Sequence, residues 1–379
     1  MTPVLPPLRI GPITVDPPVV LAPMAGVTNA PFRRLCRRYG GGLYVSEMIT
    51  ARALIEGNAK TARMVTFDPD EQPRSLQLYG TDPAVLGEAV RRLVSDGRVD
   101  HVDLNLGCPA PKVTRRGGGA ALPVKRTLLR AIVRSCVAAA TPAGVPVTMK
   151  FRMGVDDRTL TFLEAGRIGE DEGVAAIALH ARTAEQLYSG RADWTAIGRL
   201  KEALTTVPVL GNGDIWEADD AVAMVAATGC DGVVVGRGCL GRPWLFADLE
   251  AAFAGKEPSP PPRLGEVATV MADHARLLVD WAGEGAALRD FRKHTGWYLT
   301  GYPCGPEVRR RLALVDTLAE LDDLLAGLDP DLGLVPGGLR IHRGHTNGPR
   351  PVHLPHGWLD DPYDASPLPA EADALVSGG

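Results

Sequence analysis

The residues best suited to chemistry lie in one short stretch, Asp103 to Pro109 (DLNLGCP), where an apolar run stops in an asparagine, a glycine, a cysteine and a proline. A strand that ends this way holds its last polar side chains at the mouth of a fold, within reach of a ligand. Cys108 has three readings there. A thiol with an ordinary pKa of about 8.5 is mostly protonated at neutral pH and can act as a general acid. A covalent nucleophile would need a lowered pKa and a nearby base. The acidic residue of the stretch, Asp103, is placed by strand alternation on the strand rather than at its mouth. The bland reading is a small buried hydrophobe. The acid reading is preferred.

Other apolar runs end in polar residues in the same manner: Gln77, Asn105, Lys150, Arg152, His180, Arg182, Asn212, Asp214 and Arg237. A lysine in a buried strand needs an electron-rich or negative partner, because an isolated ammonium is costly to desolvate. For Lys150 the rival is a Schiff base, as in aldolase barrels. His180 is either a satisfied core histidine or a ligand contact, and its strand-end position two residues before Arg182 favours the ligand. Gln77 either braces a loop or meets a ring edge with its amide. Gly211-Asn212-Gly213-Asp214 and Gly236-Arg237-Gly238 leave backbone N–H groups uncovered for a phosphate. Asp214 could cap a helix there, and Arg237 could add a bidentate contact.

These residues must be positioned by the runs that carry them. Eight apolar runs fall near Val19 to Met24, Leu43 to Met48, Ser75 to Gly80, His101 to Cys108, Pro146 to Met153, Ala175 to Ala181, Val207 to Asp214 and Asp231 to Gly238. Segments of helical composition alternate with them, among them Ala84 to Val94, Lys125 to Ala140, Leu160 to Asp171 and Ala218 to Ala227. The alternation predicts an α/β fold with a parallel sheet, and eight units over about 240 residues match a (β/α)8 TIM barrel. An open doubly wound sheet is the rival, but no G-x-G-x-x-G follows the first run. Thr28-Asn29-Ala30-Pro31 opens a helix expected to turn Phe32, Leu35 and Cys36 inward and Arg33, Arg34, Arg37 and Arg38 largely outward.

The catalytic barrel is expected over residues 1–255. Residues 256–262 (KEPSPPP) form a stiff proline-rich linker. A small C-terminal helical domain follows over 263–335, with helices at Leu264 to Gly283, Gly285 to Thr300 and Glu307 to Leu328. Residues 336–379 read as an irregular tail draped over the surface. Its histidines, His342, His345, His353 and His356, lack a metal-site spacing, and no metal is expected. Six scattered cysteines without a CxxC pair suggest neither a zinc site nor a disulfide framework. A net charge of −4 gives no global attraction to nucleic acid, so such binding would need local basic patches. An aromatic content of 5% disfavours a surface of extended base stacking. With no secretory signal and no apolar run long enough for a membrane span, a cytoplasmic protein is expected, taken as a monomer.

Several motifs together resemble the tRNA-dihydrouridine synthase family, nearest its bacterial B type. They are APMAGVTNAPFR from Ala22, LQLYG from Leu76, DLNLGCP from Asp103, Arg115-Arg116 before Gly117-Gly118-Gly119-Ala120, MKFRMG from Met149, LHART from Leu179, NGDI from Asn212, GRGCLGRPWLF from Gly236 and RKHTGWYL from Arg292. The resemblance spans about Leu8 to Leu328, and the run of three glycines is looser than the family's usual loop. It implies an FMN barrel that reduces the C5=C6 bond of particular tRNA uridines, with NADPH as electron donor. Pro23, Met24, Ala25, Gln77, Lys150, His180, Asn212, Gly213, Asp214, Gly236 and Arg237 would then hold the flavin, and Cys108 would be the catalytic residue. Asn105, Arg182 and Arg152 would meet the uracil side of the substrate. Lys112, Arg115, Arg116 and, on the helical domain, Arg289, Arg292 and Lys293 would meet tRNA phosphates. The alternative function is a flavin barrel acting on a free small pyrimidine-like substrate, which would not need the helical domain.

Overall fold

The computed structural model describes residues 5–364 of the 379. The chain starts with an antiparallel hairpin of β1 (Leu8–Ile10) and β2 (Ile13–Val15), turned at Gly11 with φ of +56°. The sequence reading does not foresee this hairpin, because three-residue strands are too short to show a period.

A parallel sheet follows, built from β3 (Val19–Leu21), β4 (Leu43–Tyr44), β5 (Ile49–Thr50), β6 (Ser75–Tyr79), β7 (His101–Leu106), β8 (Val147–Arg152), β9 (Ala176–His180), β10 (Val209–Asn212) and β11 (Gly232–Val235). Eight strands were expected where nine are found, because the second is interrupted. Its first half, β4, pairs with β3, its second half, β5, pairs with β6, and Val45 bridges Ser75, so the barrel closes through both halves. The break frees Ser46 and Glu47. The Ser46 hydroxyl accepts from Gln77 N at 3.2 Å, and the Glu47 carboxylate accepts from Gly26 N at 2.6 Å.

Toward the strand starts the interior is apolar apart from a polar strip that includes His101 and Thr148. Val20, Leu43, Val45, Ala176, Leu210 and Val234 meet Leu8, Ile10 and Val15 of the hairpin, which plugs that end. Outside, long helices such as Pro83–Ser95 and Arg126–Ala140 press Leu86, Leu129 and Ile132 onto the sheet. Truncating one such leucine to alanine costs about 2–5 kcal/mol in cores of this kind.

The helix Ala30–Arg37 corrects one expectation. Arg33 is not outward but buried, paired with Glu71 at 2.5 Å and donating to the Thr28 carbonyl, with Phe67 over its guanidinium. Periodicity cannot reveal a buried arginine whose partner is 38 residues away.

Beyond the exposed linker, helices Leu264–Ala282, Glu284–Tyr298, Pro306–Leu312 and Leu318–Ala326 share a second apolar core around Met271, Leu288, Phe291 and Leu321. The expected third helix is therefore two. Thr317 caps the second of them by accepting from Glu320 N, and Arg292 grips the Leu314 and Val315 carbonyls in the gap. The described part of the tail is anchored: Arg343 and Trp358 are both buried. Residues 365–379 lie outside the described residues. Among the described residues no helix is long and apolar enough to cross a membrane, and no cluster of three metal-ligating side chains occurs.

Candidate active site

A chain of side-chain hydrogen bonds runs up the barrel wall to Cys108. Ser75 Oγ meets His101 Nδ1 at 2.7 Å, and His101 Nε2 meets Thr148 Oγ1 at 2.9 Å. Thr148 donates to Asp103 Oδ1 at 2.6 Å, so the histidine must donate from Nε2 and accept at Nδ1 from the serine. Gln77 Nε2 donates to Asp103 Oδ2, and Asn105 Nδ2 donates to Gln77 Oε1, both at 2.7 Å. Asn105 Oδ1 finally accepts from Gly107 N and Cys108 N at 3.2 and 3.0 Å, closing a turn that lifts the thiol off the strand end.

This chain bears on two assignments. Gln77 gives one N–H to Asp103 and accepts from Asn105, which fixes its amide in the chain and leaves its second N–H for a ligand. Asn105 bonds Gln77 and the backbone of the Cys108 turn, so it positions the thiol's loop.

Cys108 itself is half-buried. Burial raises its thiol above the ordinary value, opposed by the Ala110 N–H aimed at the sulfur and by the charges of Arg152 and Lys112. A thiol in this setting stays protonated at neutral pH, which suits a proton donor and disfavours a resident thiolate nucleophile.

At the C-terminal ends of β3 and β8 to β11 a cavity opens, and β8 is the neighbour of β7, the strand that leads to Cys108. Pro23 and Met24 line one side, and Lys150 and His180 line the floor. Asn212, Gly213 and Asp214 after β10, with Gly236 and Arg237 after β11, complete the wall. Nine of the eleven expected cofactor residues thus surround one space, and the two outside it are Ala25 and Gln77. Tyr188 and Trp216 also line it and escaped the sequence reading. Each lies in a loop, where only its aromatic type could have signalled a wall.

The electrostatics of the cavity are cationic. Lys150 donates to Asn212 Oδ1 at 2.9 Å, and burial together with Arg152 lowers its pKa to about 8. His180 is held neutral by burial and by the neighbouring arginines and Lys150. Arg237 is sandwiched between Tyr188 and Trp216, with its guanidinium 4.8 and 5.0 Å from the ring centres, and burial lowers its pKa to about 10. Asp214, at φ of +56°, turns inward to Arg182 at 2.8 Å and Arg237 at 3.4 Å. It therefore does not cap the following helix, whose capping box is made by Glu217 and Asp220.

Arg182 and Arg152 are both buried and bind protein. Arg182 reaches the Ser189 and Gly190 carbonyls, and Arg152 ties the Gly107 carbonyl to those of Thr183 and Leu187. Both expected substrate contacts are thus loop clamps in this structure, except that Arg182 Nη1 is buried without a partner among the described residues. A side-chain carbon on Gly213 would stand 3.8 Å from that nitrogen and 2.6 Å from Ala192, so glycine keeps this wall low. An unpartnered guanidinium nitrogen on an arginine that shares Asp214 with Arg237 fits an anionic, phosphate-bearing cofactor.

The basic residues expected to meet RNA divide. Lys112 and Arg115 are exposed and Arg116 half-buried, just past the cysteine loop. Arg289 is exposed, but Arg292 bonds Asp316 and the two carbonyls noted above, while Lys293 holds the Gly26 carbonyl at 2.5 Å and joins the helices to the loop after β3. Lys60, Arg63 and Trp281 line an open groove between barrel and helices, with Arg63 stacked on Trp281. Their separation by more than 200 residues hid them from the sequence reading.

A parallel (β/α)8 barrel whose strand ends carry a cationic cavity and a protonated thiol has the layout of a barrel enzyme. The family model for dihydrouridine synthases matches residues 20–329, and the chain belongs to that family. It is 56% identical over 381 residues to a probable tRNA-dihydrouridine synthase of Mycobacterium tuberculosis, covering 99% of this chain and 97% of that one. It is 38% identical over 320 residues to tRNA-dihydrouridine synthase B of Pseudomonas putida, covering 84% and 94%. A solved histamine dehydrogenase from Rhizobium sp. 4-9 shares the fold with a TM-score of 0.52 at 13% identity, over 86% of this chain and 65% of that one.

Proposed function

We propose that this protein reduces particular uridines of tRNA to 5,6-dihydrouridine, with FMN in the cavity and NADPH as electron donor. The carrying observation is the protonated Cys108 thiol at the end of β7, next to the strand that sends Lys150 into a cationic cavity. Lys150, Arg237 and the free nitrogen of Arg182 would receive the flavin's phosphate and electron-rich edge, and Pro23, Met24 and Gly236 would flank it. When bound and reduced, the flavin supplies a hydride to C6 of the uracil.

The chain's own residues then finish the addition. Hydride at C6 leaves enolate character over C5 and the C4 carbonyl, and the Cys108 S–H gives its proton to C5. Asn105 fixes the backbone that carries the thiol. The burial that raises the thiol's pKa keeps the proton available at neutral pH. A uracil stacked in RNA cannot reach the barrel mouth, so the base must be flipped out. Lys112, Arg115, Arg116 and Arg289, with Lys60 and Arg63 in the groove, would take the phosphates around it. A free small pyrimidine would need neither that groove nor the helices.

The expected protein is yellow and is bleached by NADPH. Cys108→Ala should keep the flavin and the bleaching while tRNA-dependent reoxidation falls by about 10²-fold or more, the range for loss of a general acid. Reoxidation by tRNA at the unaltered rate would sink the assignment, and reoxidation by free uridine as fast as by tRNA would favour the small-molecule reading.

A further inference from the structure

The tail lies past the span matched by the family model and is included in the alignment with the mycobacterial relative. Its Trp358 is buried against a turn of the barrel that touches Cys108. Trp358 Nε1 donates to the Ala121 carbonyl at 2.8 Å, its ring packs with Ala121, Val124 and Val155, and Lys125 Nζ stands 5.1 Å from the ring centre. The tail is fastened on the far side as well, where Lys125 donates to the Asp361 carbonyl and the Pro362 carbonyl accepts from Arg126 N.

The three glycines at 117–119 are the link. A side-chain carbon on Gly117 would fall 2.5 Å from Trp358 Cη2, so the indole occupies the space a side chain would need. A carbon on Gly119 would fall 2.5 Å from the Cys108 carbonyl oxygen and 3.1 Å from Cys108 Cβ. Gly117 and Gly119 have φ of +77° and +54°, a region other residues rarely adopt. Ala120 N donates to the Cys108 carbonyl at 3.0 Å. The turn is thus clasped between the tail indole on one face and the cysteine on the other. Asn105 holds Cys108 by its amide and the glycine turn holds it by its carbonyl, and Trp358 backs the turn.

We infer that Trp358 is a positioning residue for Cys108, acting through the Gly117 to Ala121 turn. This inference rests on the reading of Cys108 as proton donor. It predicts that Trp358→Ala slows tRNA-dependent flavin reoxidation at saturating tRNA by on the order of tenfold, the penalty of a displaced catalytic group. The half-saturating tRNA concentration, the rate of flavin reduction by NADPH and the equilibrium affinity for FMN should each hold within about twofold, since none of them uses the thiol. Trp358→Phe, which keeps the ring but not the N–H, should recover most of the rate.

Unchanged saturating reoxidation in Trp358→Ala would overturn the inference. So would a parallel impairment of all four, with both rates and the FMN affinity falling and the half-saturating tRNA concentration rising, which marks a merely structural residue. If Trp358→Ala is insoluble, Gly117→Ala is read for the same split, and its absence there overturns the inference. Cys108→Ala run beside them separates the two failures. If it reoxidises normally, the acid assignment falls; if it is slow while the Trp358 variants are normal, this inference alone falls.

Discussion

Two buried polar clusters in this molecule use histidine in opposite ways. In the barrel wall, both nitrogens of His101 are engaged, by Ser75 and Thr148, and the chain continues without a gap to Cys108. At the junction of barrel and helices, His274 and His294 pack edge to face with ring centres 4.6 Å apart, among Phe32, Phe291 and Trp297. There His274 reaches the Tyr298 hydroxyl at 3.0 Å, but its other nitrogen and both of His294 have no partner among the described residues. Burial pushes His101 and His274 each down to about 3 and His294 well below its ordinary value. The shift is alike in both places and does not reveal function. Hydrogen bonding does: a satisfied chain transmits position, whereas unpaired imidazoles serve as aromatic filling.

The contrast breaks most readily at Asn105. Asn105→Ala removes the acceptor of the Cys108 turn, and tRNA-dependent reoxidation should fall by about 10²-fold while FMN stays bound. Stopped-flow reoxidation measures this, and a loss of only a few-fold would show that the turn does not depend on the chain. Asp103→Ala orphans Gln77 Nε2 and Thr148 Oγ1 together. At about 1–3 kcal/mol per orphaned group it should cost roughly 2–6 kcal/mol in denaturant unfolding.

Acid should act on the histidines of both clusters alike. His101, His180, His274 and His294 are all buried with lowered pKa. Below about pH 6.5 the unfolded chain takes up their protons and the folded chain does not. Stability should therefore be complete above about pH 6.5 and be lost as pH falls toward about 3, by up to about 1.4 kcal/mol per unit for each histidine. Melting temperatures from pH 7.5 to 4.5 test the sign.

The smallest effect is expected at the junction. His294→Phe discards two unpaired nitrogens and keeps the ring, so stability at pH 7.5 should change by no more than about 1 kcal/mol, reoxidation should be unaltered, and the acid slope should lessen. A large loss of stability would mean that His294 has a polar partner such as a buried water and belongs with His101.

Much of this was legible along the chain. Short apolar runs separated by helical segments determine a parallel barrel, because a strand buried on both faces must be continuously apolar. Polar residues at the ends of those runs marked the mouth, and nine of eleven expected cofactor residues line one cavity. What stayed hidden depends on partners distant in sequence. The sequence could not tell that Arg33 turns inward to Glu71, that Arg152, Arg182, Arg292 and Lys293 donate to loop carbonyls, or that Gln77 and Asn105 join a hydrogen-bonded chain ending at Cys108. A side chain's type and spacing determine what it can bond, and local pattern determines which element carries it. Only the closed barrel, by bringing Ser75, His101, Thr148 and Asp103 into register and laying Trp358 against Gly117, decided which of those bonds are made.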